Sequence, residues 1–251
     1  LGHPNGIEFL IATASGEYQS KNLIYSSCGC DRRASMRLVD LDGNGHLDLL
    51  TLSGSNYYGL DVWTGDGTGE FTRLGISTDM SVAGQSPRML GMVQAKDQGP
   101  PGVVLVARGG YDSMTLKLGS IASYPGVGDG SLSLQSRREL DALAGDGALL
   151  DLDQDGVIDA VVPLTKPMGS VGLDGKQRVR PEYAQYTDNA VALLRGLRDG
   201  ALDPWLAYWL DSPASAVGAA DFNNDGSMDI VAAHDVTSSL TILLTQATPC
   251  R

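Results

Sequence analysis

The sequence predicts an all-β domain assembled from internal repeats, and three observations carry that expectation. Glycine is abundant, at 32 of 251 residues, while charged residues make up only 19 %, a balance expected of short strands joined by tight turns rather than of long surface helices. A nine-residue acidic pattern recurs along the chain, and a second pattern rich in glycine and aspartate recurs behind it. Both are bounded by short apolar runs of strand length. A chain of this length can bury a substantial core, and residues 1–251 read as a single domain.

The acidic pattern places oxygen-bearing side chains at positions 1, 3, 5 and 9 and glycine at position 6. Its copies are Asp40, Asp42, Asn44, Gly45 and Asp48; Asp151, Asp153, Asp155, Gly156 and Asp159; and Asp221, Asn223, Asp225, Gly226 and Asp229. That alternation lets a tightly curved loop aim successive side chains at one hard cation. Glycine permits the bend, and position 7 (His46, Val157, Ser227) offers its backbone carbonyl. Asx-rich turns without metal are the competing reading, against which three matching copies weigh. An EF-hand loop opens with the same spacing but needs a carboxylate at position 12, where this chain has Thr51, Val162 and Ala232. Short apolar runs follow instead, at 47–52, 158–164 and 228–233, so each loop is expected to join two strands.

A degenerate fourth copy runs from Gln94 to Gly102, with Lys96 at position 3 and Gly99 at position 6, ahead of the apolar run Val103 to Val106. No metal is expected there, whether Lys96 replaces the ion or is a plain exposed lysine. The second pattern, at 65–71, 126–132 and 196–202, sets Asp-Gly (Asp66, Asp129, Asp199) between apolar runs, a hairpin signal. Each unit therefore reads as strand, acidic loop, strand, connection, strand, Asp-Gly hairpin, strand. Four antiparallel strands per repeat is the arrangement of a β-propeller blade. The units fall at 36–80, 89–140, 147–210 and 217–247, with a long insertion from about Lys166 to Asn189.

The last unit has three strands, ending at Leu240 to Leu244. The N-terminal segment Asn5 to Ala12 resembles the closing strand Thr68 to Leu74, so residues 7–13 are expected to pair with 240–244 and complete a ring of four blades. Residues 1–35 are then a closing strand plus tether, or a strand donated to the next copy, a contact that propagates as a filament. Part of a seven-bladed ring is the alternative.

These acidic loops and Gly-Asp-Gly hairpins resemble FG-GAP and VCBS repeats, as in integrin α-subunit propellers and many secreted bacterial proteins. The resemblance covers most of the chain. It implies calcium at Asp40, Asp42, Asn44 and Asp48, at Asp151, Asp153, Asp155 and Asp159, and at Asp221, Asn223, Asp225 and Asp229, hence three sites. The degenerate loop departs from the pattern, and Asn223 removes one charge.

Function is bounded mostly by exclusion. The net charge of −12 disfavours nucleic acid and anionic membranes as main partners, and no apolar run approaches the roughly 18 residues of a membrane span. The start at Leu1 suggests a processed form or an excised portion of a precursor. Cys28, Cys30 and Cys250 are three, an odd number, which leaves one disulfide plus a thiol, or a bond between chains, in an oxidising compartment. His3, His46 and His234 are read as solvated, no nucleophile motif occurs, and the conspicuous carboxylates are absorbed by the loops, so no enzyme activity is expected. The leading expectation is a secreted or cell-surface structural or adhesive module, binding a protein, a glycan or copies of itself. Trp205, Trp209 and Tyr208 keep a carbohydrate-binding lectin as an alternative, and a non-catalytic domain of a larger secreted enzyme or receptor is another.

Overall fold

The computed structural model describes residues 6–25, 33–53, 60–77, 87–93, 99–112, 115–140, 142–165, 189–203 and 206–245. Among them there is no helix, and every named strand pairs antiparallel within a small sheet. β1 (Gly6–Ala12) and β2 (Tyr18–Tyr25) form a hairpin. β3 (Arg33–Val39), β4 (Asp48–Ser53), β5 (Leu60–Gly65) and β6 (Phe71–Ser77) form the first four-stranded sheet, in chain order. The second sheet holds β7 (Pro87–Val93) and β8 (Gly102–Ala107). The small hairpin β9 (Gly110–Asp112) and β10 (Thr115–Lys117) interrupts it before β11 (Ser120–Tyr124) and β12 (Ser136–Glu139) complete it. In the third, β13 (Leu143–Ala144) and β14 (Ala148–Leu150) both pair with β15 (Asp159–Thr165), followed by β16 (Asn189–Leu194) and β17 (Leu206–Leu210). β18 (Ala216–Ala220), β19 (Asp229–His234) and β20 (Ser239–Leu243) make the three-stranded fourth sheet.

The period-2 alternation of strands decides how the sheets stack. In the strand that leaves each loop, the first apolar side chain faces the preceding layer and the next faces the following one. Leu49 packs on Ile7 of the hairpin, while Leu50 and Leu52 pack with Val103 and Leu105 of the second sheet. Val104 and Val106 meet Ala160 and Val162 of the third, and Val161 meets Ile230 and Ala232 of the fourth. β8 and β15 are consequently buried on both faces and read as continuous apolar runs. Each fully buried Leu or Val here stabilises the stack by about 1.5–3 kcal/mol.

Two expectations are corrected. Residues 6–12 pair with 18–25, not with 240–244, and no closed sheet forms among the described residues. The reason is loop entropy. A turn through Gly16 (φ 83°), closed by Thr13 and Glu17, brings β1 and β2 together at far lower cost than pairing ends more than two hundred residues apart. The segment read as a tether thus contains β2, whose polar run from Tyr18 to Asn22 carried no apolar signal. His234 is also not solvated: it ends β19, is buried, and its ring bonds the Pro213 carbonyl and the Thr241 hydroxyl at 3.1 and 2.8 Å. His3, Cys28, Cys30, Tyr57, Tyr58, Lys96, the insertion 166–188, Trp205 and Cys250 lie outside the described residues.

The glycine opening each Asp-Gly hairpin has a steric cause that spacing alone did not show. A Cβ on Gly65, Gly126 or Gly196 would stand 2.1, 2.4 or 2.2 Å from the position-8 carbonyl oxygen of Leu47, Pro101 or Ile158. In the fourth sheet Thr245 takes this place and its hydroxyl donates to the equivalent carbonyl, of Met228, at 2.7 Å. Gly45 is a contrasting case, with φ +86° and nothing within 4 Å of where a Cβ would stand. Gly45→Ala is therefore expected to cost about 1 kcal/mol from backbone strain alone. Gly65→Ala is expected to cost about 3 kcal/mol, because the clashing atoms are main chain and cannot rotate away. Urea unfolding of both variants in excess chelator measures the difference.

Candidate metal centres

The three acidic loops fold by one hydrogen-bond scheme. The position-6 glycine amide donates to the position-1 carboxylate: Gly45 to Asp40, Gly156 to Asp151 and Gly226 to Asp221, at 2.9, 2.8 and 2.9 Å. The position-5 amide donates to the position-3 side chain, so Asn44, Asp155 and Asp225 bond Asp42, Asp153 and Asn223. The position-7 amides of His46, Val157 and Ser227 donate back to the position-5 side chains at 2.7–2.8 Å. These are Asx-type turns wound in succession, and they curl the odd-numbered side chains toward one centre. Two residues per loop take left-handed backbone, at position 6 and also at position 4, where Gly43, Gln154 and Asn224 have φ of 76°, 59° and 58°. Position 4 escaped the sequence reading because Gln is no signal for that conformation.

Position 9 ties the loop into its sheet. Asp48, Asp159 and Asp229 are buried, and each carboxylate spans two parts of its sheet. One oxygen accepts from the position-2 amide (Leu41, Leu152, Phe222) at 2.8–2.9 Å. The other accepts from the residue at the end of the third strand or just beyond it (Gly65, Gly196, Thr245) at 2.8–2.9 Å. Burial pushes the Asp159 carboxyl above the ordinary carboxylate range, opposed by those two amides. Asp225 is held below it by the Ser227 amide and then by the Asn223 side chain.

The donor set suits a hard divalent cation. In the first loop, ligand oxygens of Asp40, Asp42 and Asp48 lie within 4.8 Å of one another, as do those of Asp151, Asp153 and Asp159 in the middle loop. Asp151 Oδ1 is buried without a hydrogen-bond partner among the described residues, an orphaned acceptor that a bound cation would satisfy. The third loop has the same frame with Asn223 at position 3, so its positions 1, 3 and 9 gather two carboxylates where the other loops gather three, and the Asn223 amide donates to Asp225 at 2.9 Å. The degenerate loop replaces position 9 by Gly102, where a Cβ would stand 2.6 Å from the Tyr124 carbonyl oxygen: direct backbone approach takes over from the aspartate tie.

The Asp-Gly turns back onto this end of the sheets. Asp66, Asp129 and Asp199 each accept from the amide two residues on, at 2.8–3.0 Å. Hydrogen bonds from Thr68 and Ser131, the side chains foremost, hold the Asp66 and Asp129 carboxyls below their ordinary range.

No known protein-family model and no curated protein matches the chain. It is similar to the crystal structure of a protein from Lactobacillus plantarum, a structural-genomics target, at 16 % identity and a TM-score of 0.49. The similarity covers 97 % of this chain and 65 % of that one, so the chain spans less than two thirds of that protein's length.

The double role of position 9 separates it from position 3. Asp48→Ala leaves two amides inside the sheet without acceptors, at about 1–3 kcal/mol each, and is expected to lower the melting temperature even in excess chelator. Asp42→Ala removes a half-buried turn acceptor at the loop surface and is expected to shift the chelated melting temperature by much less. Differential scanning calorimetry with and without chelator distinguishes the two.

Proposed function

We propose that this chain is a calcium-stabilised, non-catalytic interaction module of the β-propeller kind that works outside the cell. The observation that carries the reading is the set of oxygen-rich loops tied by buried aspartates to the ends of the strands they connect. An ion bound there pins one sheet end and neutralises clustered carboxylates, which is structural work. The likeness of these loops to FG-GAP and VCBS repeats supports calcium as the ion and the extracellular setting. Three divalent ions would also halve the charge of −12, lowering self-repulsion between copies.

The partner in this reading is a cell-surface protein or glycan, or another copy of the chain. The fourth sheet favours the copy. Its forward face, where the other sheets meet a successor, presents Leu240, Ile242 and Leu244 at 68 %, 49 % and 56 % exposure, and β20 has one free edge among the described residues. Trp209 and Tyr208, exposed on the outer strand β17 of the third sheet, keep sugar stacking as a second reading. Among the described residues no helix is long and apolar enough to cross a membrane.

Elemental analysis after gentle desalting into millimolar calcium is expected to find three equivalents, with dissociation constants of about 10⁻⁴–10⁻³ M as in extracellular modules. Calcium at a hundred times the dissociation constant should stabilise the fold by about 2.7 kcal/mol per site, so chelation lowers the melting temperature. A melting curve indifferent to chelator defeats the structural role. Light scattering and electron microscopy are expected to show association that the double change Leu240→Lys and Ile242→Lys removes without loss of folding.

A further inference from the structure

The middle loop differs from its neighbours in charge. Positions 1, 3, 5 and 9 hold four carboxylates there (Asp151, Asp153, Asp155, Asp159), whereas the first and third loops hold three carboxylates and one asparagine, Asn44 or Asn223. It differs in one further way. Arg195, the last residue before Gly196, reaches over the loop and its Nη2 donates to Asp153 Oδ2 at 2.8 Å and to Asp155 Oδ2 at 3.3 Å. The corresponding residues, next to Gly65 and Thr245, are Thr64 and Leu244, both uncharged. With the guanidinium counted, all three loops carry the same net charge.

We propose that Arg195 is the built-in counter-cation of the middle loop and sets how tightly that loop holds calcium. The inference rests on the calcium reading above. The geometry allows both charges at once: the guanidinium takes Oδ2 of Asp153 and of Asp155, while one ligand oxygen each of Asp151, Asp153 and Asp159 lies within 4.8 Å of the others and Asp151 Oδ1 is buried and unpartnered among the described residues. In the ion-free chain Arg195 relieves repulsion among four carboxylates. Beside a bound divalent ion it repels. Both effects lower affinity, so the extra aspartate and the arginine offset each other, and the middle loop binds in the range of its neighbours instead of far more tightly. The same side chain lines a cleft with Asp153, Asp159, Asp203 and Leu206, so it has open space to swing into when an ion arrives. Arg195 is a positioning and affinity-setting residue, not a ligand.

A unit charge about 6 Å from a divalent ion, in water-like dielectric, changes binding about tenfold. Competition titration of the full chain with a chromophoric calcium chelator, on wild type, Arg195→Gln and Arg195→Lys, reads this directly. In Arg195→Gln one of the three equivalents is expected to tighten five- to tenfold, and the melting temperature in excess chelator to fall. Arg195→Lys keeps the charge and is expected to stay within about twofold of wild type, and circular dichroism checks that each variant is folded. Wild-type-like calcium binding in folded Arg195→Gln overturns the role of Arg195 and leaves the calcium reading standing, as does tightening in Arg195→Lys equal to that in Arg195→Gln. Absence of calcium binding by the wild type overturns the calcium reading and this inference with it.

Discussion

The buried aspartate at the ninth loop position is the constraint on which the rest of the architecture depends. It accepts one amide from the start of its own loop and one from the end of the third strand of its sheet. A loop that would otherwise be free to flap is thereby fixed to a strand that is nearly twenty residues away in sequence for Asp48 and nearly forty for Asp159. Taking a carboxylate out of water is costly without full hydrogen bonding, and two charge-assisted bonds meet most of that cost. The side chains at positions 1, 3 and 5 inherit their convergence from this anchor, since it sets where the loop begins and ends.

Much of this was legible from residue order, and the parts that were not share a physical reason. The acidic loops, the strands that follow them and the Asp-Gly turns were readable because each demands particular chemistry at fixed spacing. Glycine at position 6 is an example: its backbone angle excludes most residues, so it leaves a trace. β2 left none at its start, because the side chains from Tyr18 to Lys21 are exposed and an exposed run needs no apolar alternation. The burial of His234 was also invisible, for its two ring partners come from Pro213 and Thr241, which only folding brings together. Arg195 was silent for the same reason: its carboxylate partners lie forty residues upstream on a different loop.

The N-terminal pairing teaches a related lesson about local competition. The resemblance of Asn5 to Ala12 to an outer strand was real in composition, and β1 does pack against the first sheet, with Phe9 stacked on Phe71 at 4.3 Å and Ile7 covering Leu49. Its hydrogen bonds go to β2 because that partner is a five-residue turn away. Composition told which surface the segment seeks. Contact distance along the chain told which backbone it bonds.

The forward-and-backward alternation in β4, β8, β15 and β19 has a bearing on copy number. Each of the first three sheets offers a forward face that packs on the sheet after it, the last three a backward face that packs on the sheet before, and the face residues of these central strands are drawn at each interface from Leu, Val, Ile and Ala. A duplicated unit would arrive with both faces already matched, and a deleted one would leave two matched faces to meet. Adding or removing a whole unit would therefore ask for few substitutions in the core, whereas a change that shifts one strand's alternation would unsettle two interfaces at once.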